Sequence, residues 1–64
     1  MKRVEYLGNT YYEVTGEREQ EASDVLAEGL YSVAKRRSAY VQSEIDAIIS
    51  DIEKDYGVEI RIVV

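Results

Sequence analysis

The sequence contains no cysteine and no histidine, and it also lacks tryptophan, phenylalanine and proline. Without thiol or imidazole there is no thiolate nucleophile, no imidazole base, no redox pair and no zinc site of the usual ligand set. Catalysis by carboxylates alone needs a walled cleft that shifts a pKa, and a chain of 64 residues rarely encloses one. A non-catalytic protein is therefore expected, without cofactor. No Asp-rich loop has the spacing of a calcium site, so no metal is expected either. Freedom from cysteine suits a reducing compartment, which makes a cytoplasmic protein the expectation.

Long apolar runs are missing as well. The longest aliphatic stretch is Ile62-Val63-Val64, far short of the roughly 20 residues that cross a membrane. The basic start Met1-Lys2-Arg3 leads into Val4-Glu5-Tyr6-Leu7-Gly8, which never becomes the apolar segment of a secretory signal. No membrane partner is expected. What the chain has in excess is negative charge, 13 acidic against 8 basic side chains for a net −5, and six tyrosines that are its only aromatics. At this length one domain is expected, spanning residues 1–64. A domain so small is marginally stable alone, and with disulfides and cysteine-bound metal excluded, self-association is the remedy left.

Two β-prone runs, Val4-Glu5-Tyr6-Leu7 and Tyr11-Tyr12-Glu13-Val14, flank Gly8-Asn9-Thr10 and read as a hairpin. A two-residue Gly8-Asn9 turn would set Val4 against Glu13 and mix apolar with charged side chains on each face. A three-residue loop pairing Tyr6 with Tyr12 and Val4 with Val14 gives one apolar face and leaves Arg3, Glu5 and Glu13 on the other, so this register is expected. Leu7 and Tyr11 then fall on the mostly polar face. After Thr15-Gly16, the acidic Glu17, Glu19 and Glu21 mark a helix N-terminus. Gly57 suits the position just past a helix end, and Val58 to Val64 alternate with period two as a third strand.

Residues 17 to 56 can be read as one helix or two. Ala22, Val25, Leu26, Gly29, Leu30 and Val33 form one apolar stripe, suited to covering a sheet. A longer stripe, Ala27, Tyr31, Ala34, Ser38, Val41, Ile45, Ile48 and Ile52, alternates steps of four and three in heptad fashion. No Gly or Pro interrupts residues 30 to 56. A continuous helix would be about 60 Å long and would send the third strand to a partner's sheet. The alternative is a helical hairpin bent near Arg37-Ser38-Ala39, with Ser38 or Ser43 capping the second helix. Either way the fold class is α+β, a small β-β-α(-α)-β domain with a three-stranded sheet packed against a long or broken helix. A homodimer is expected, joined through Val41, Ile45, Ile48 and Ile52, with the basic island Lys35-Arg36-Arg37 meeting the acidic Asp51, Glu53 and Asp55 of the second copy.

Two surfaces are candidates for function. Tyr11, Glu17, Glu21, Asp24 and Glu28 offer an exposed aromatic and an acidic helix that fit a protein with a basic surface, as expected of a small regulatory inhibitor or adaptor. Lys35, Arg36 and Arg37, flanked by Tyr31 and Tyr40, offer phosphate contacts and stacking for a nucleic acid. The net −5 opposes that second reading.

Overall fold

The computed structural model describes residues 1–6, 8, 10–36 and 41–63. Five elements follow in the order β1 (Lys2–Tyr6), β2 (Thr10–Thr15), α1 (Glu19–Arg36), α2 (Val41–Tyr56) and β3 (Glu59–Val63). The strands form one antiparallel sheet in the order β1-β2-β3. Both helices pack on the same face of it, α1 over β1 and β2 and α2 over β3, so the architecture is α+β.

Strand alternation decides which face is covered. Val4, Tyr12 and Val14 point to the helices and are buried, and Ile60 packs beside them. Arg3, Glu5, Tyr11, Glu13 and Arg61 fall on the opposite face. The register is centred one position earlier than expected, so Tyr6 pairs with Thr10 and Val4 with Tyr12. The expected Tyr6–Tyr12 and Val4–Val14 pairs are therefore corrected by two positions. A shift of two leaves every side chain on the face it was assigned, because the pleat repeats every second residue. The expected place of Leu7 lies outside the described residues.

At the β2–α1 junction, Gly16 has φ 152°, and a Cβ there would stand 2.9 Å from Val58 Cγ1 and 3.2 Å from Val58 Cα. A side chain at this position would push away the backbone that leads into β3. At the end of α2, Gly57 has φ 65° and donates its N–H to the Glu53 carbonyl at 3.0 Å. This is the left-handed helix stop expected of Gly57, and it turns Val58 into the core, where it is buried.

The region 17–56 folds as two helices. They run antiparallel, with Arg36 near Glu44 at one end and Arg18 over Tyr56 at the other. The molecule measures 33 × 22 × 16 Å, which leaves no room for a helix of about 60 Å. Burial overrides local propensity here: folding α2 back places Ile45 and Ile52 in the core, 1% and 4% exposed, beside Leu26, Leu30 and Val33. The residues expected to join two copies lie in or against this core. Val41 and Ile48 pack against the same core, so all four residues assigned to a second copy are used inside one chain. The N-terminal part of the same heptad stripe does the opposite, since Ala27, Tyr31 and Ala34 are exposed. The stripe is one line only on an unbroken helix. Ser43 lies inside α2, two residues past its first described residue, and Ser38 and the 37–39 bend lie outside the described residues.

Candidate functional site

Between α1 and α2 lies a groove of about 470 Å³. Its α1 wall carries Val25, Glu28, Gly29 and Ser32, a set spaced three and four residues apart and therefore aligned on one side of the helix. Its α2 wall carries Ile48, Asp51, Ile52, Asp55 and Tyr56 by the same rule. Gly29 sets the depth. A Cβ there would sit 3.1 Å from Ile48 Cγ2, so the missing side chain lets the two helices approach at mid-groove.

The groove has an apolar floor of Val25, Gly29, Ile48 and Ile52 and an acidic rim of Glu28, Asp51 and Asp55. Among the described residues no cation pairs with these three carboxylates. The two basic side chains near the groove ends are engaged elsewhere. Arg18 lies 4.5 Å above the Tyr56 ring and bonds Glu21 at 2.9 Å, which holds the Glu21 carboxyl below its usual range. Arg36 reaches Glu44 Oε1 at 3.3 Å, and the other oxygen of Glu44 is buried with no partner among the described residues.

The residues expected to bind a partner do not converge. Glu28 lines the groove. Glu21 is exposed on α1 and neutralised by Arg18, Asp24 is exposed and accepts from Gln20 Nε2 at 3.2 Å, and Glu17 is exposed in the turn before α1. Tyr11 stands on the helix-free face of the sheet, 37% exposed and opposite Val63, with the whole sheet between it and the acidic helix. The described part of the basic island lies in the last turn of α1. Arg36 is paired, Lys35 Nζ lies 5.7 Å from the Tyr31 ring, and Arg37 and Tyr40 lie outside the described residues.

Asp51 and Asp55, expected at a dimer contact, here line the groove between the helices. The signal was present. Ile48, Asp51, Ile52, Asp55 and Tyr56 fall at successive steps of three, one, three and one, which interleaves apolar and acidic side chains along one helix edge. Comparison with family models, curated proteins and solved structures found no match to this chain.

Proposed function

We propose that this is a small non-catalytic, cytoplasmic interaction protein, an inhibitor or adaptor, that receives a basic amphipathic segment of another protein in the groove between α1 and α2. The observation that carries this reading is the groove's composition, an apolar floor rimmed by the carboxylates of Glu28, Asp51 and Asp55, which have no cationic partner among the described residues. An amphipathic helix lays its apolar side chains into such a groove, and its flanking Lys or Arg side chains meet the rim. The net charge of −5 draws the same partners from a distance. The phosphate-binding reading has less support, because Arg36 is already paired with Glu44 within the chain.

The test uses a synthetic 15-residue helical peptide of leucine and lysine titrated into isotopically labelled protein. Backbone shift changes centred on Val25, Gly29, Ile48 and Ile52, and an affinity that drops several-fold in Glu28→Gln with Asp51→Gln and Asp55→Gln, are expected. Shifts confined to the first turn of α1, with affinity lost only in Glu17→Lys plus Glu21→Lys, would move the site to the acidic helix end. Binding of generic DNA that weakens steeply with salt and vanishes in Lys35→Glu with Arg36→Glu would replace the proposal with the nucleic-acid reading.

A further inference from the structure

The outer edge of β3 has no strand beside it among the described residues, and one of its backbone donors is already taken. The Ile60 N–H donates to Glu53 Oε2 at 3.0 Å, although Val14 is the residue opposite Ile60 in β2. In an antiparallel ladder, opposed residues either exchange both of their backbone bonds or turn both groups away from each other. The Glu53 bond identifies Val14 and Ile60 as a pair of the second kind. Alternation then directs the backbone groups of Ile62 outward too, while those of Glu59, Arg61 and Val63 serve β2. An edge with outward donors and acceptors is a template for another strand. This one carries an exposed apolar side chain, Ile62, which is 56% exposed. It also carries opposite charges two residues apart, Glu59 and Arg61, on the helix-free face and within 2.8 Å of each other.

We propose that the outer edge of β3 is a docking surface for β3 of a second copy, and that the Glu53 carboxylate holds it closed. The charge pattern selects the register. An antiparallel contact with its two-fold axis at Ile60 sets Glu59 of each chain opposite Arg61 of the other. An axis at Arg61 would oppose two guanidinium groups, which is unfavourable, and an axis at Ile62 would leave Arg61 opposite Val63. In the favoured register the two Ile60 residues face each other with their outward groups and exchange N–H to C=O bonds. Those are the donors that Glu53 occupies, so capped and docked states exclude one another. The contact is isologous, one patch meeting itself. It is independent of the interhelical groove and of the reading given to it.

Sedimentation equilibrium tests this directly. Wild type is expected as a monomer at tens of micromolar. Glu53→Ala, which deletes the acceptor, is expected to dimerise at least about tenfold more tightly, the order of effect of removing one competing charge-assisted hydrogen bond. Glu53→Gln keeps an oxygen acceptor without the charge and is expected to fall between wild type and Glu53→Ala. Adding Arg61→Glu to Glu53→Ala should restore the monomer, and adding Glu59→Arg as well should restore the dimer, because the exchanged pair is again self-complementary. Glu53→Met keeps the aliphatic stem and serves in place of the alanine variant should that one lose its fold by circular dichroism. The proposal is overturned by a folded Glu53→Ala or Glu53→Met protein that stays monomeric, by a dimer indifferent to Arg61→Glu, or by a wild type that dimerises as tightly as Glu53→Ala.

Discussion

Tyr12 and Gly16 show how single side chains set the limits of this small fold. Tyr12 is 3% exposed at the centre of the sheet's covered face. Burial pushes its phenol above the ordinary 10.0, with Tyr6 and Asp46 acting in the same direction. The folded state thus keeps a proton that the unfolded chain releases first. Stability from this group is complete below pH 10.0 and declines as pH rises through and above that value. Urea midpoints measured between about pH 8 and pH 11 should fall more steeply in wild type than in Tyr12→Phe, which keeps the ring but has no proton to lose. At Gly16 a methyl group meets Val58 at both side chain and backbone. Gly16→Ala is expected to cost about 1–3 kcal/mol in chemical unfolding, through backbone strain and overpacking together. Gly57→Ala shares the positive φ but has nothing within 4 Å, so its cost should be smaller, about 1 kcal/mol.

Between elements, the decisive contact is α1 with α2. Ile45 and Ile52 pack into the core formed by α1 and the sheet, so each truncation to alanine should cost about 2–5 kcal/mol. That is enough to unfold much of a domain this small. The same experiment separates an internal ridge from a dimer seam. The thermal midpoint of Ile52→Ala should fall without dependence on protein concentration, whereas a seam shared by two chains would make the midpoint rise with concentration. A concentration-dependent loss would return Ile45 and Ile52 to an intermolecular role. Gly29 belongs to this scale too, as the point where α1 admits Ile48 and the groove finds its floor.

For the whole molecule, the accessible surface is 4521 Å², against about 4,200 Å² expected of a folded monomer of this mass. A single chain therefore reaches nearly the compactness of an ordinary domain of its size. Its negative charge is distributed unevenly, since Arg3 is matched by Glu13, Arg18 by Glu21 and Arg36 by Glu44. Among the described residues the groove rim is not matched in this way. Affinity for the leucine–lysine peptide should accordingly fall several-fold between about 0.05 and 0.5 M salt, as the screening length shortens below the span of the rim, and should lose most of that dependence in the triple glutamine variant. Isothermal titration at the two salt concentrations checks both expectations.

Much of the architecture was legible in the order of residues. Alternation identified the three strands and the buried face of the hairpin even where the register was off by two, because parity depends on the pleat and not on the partner. Gly57 announced the end of α2, since a left-handed stop requires its kind of backbone. What the chain order could not decide was whether two apolar stripes in phase belong to one long helix or to two that face each other. Helical periodicity is a local property, identical in both cases. Only the folded molecule, in which burying Ile45 and Ile52 against the sheet outweighs the propensity to continue a helix, settles that choice. The groove, the enclosed ridge and the capped strand edge all follow from it.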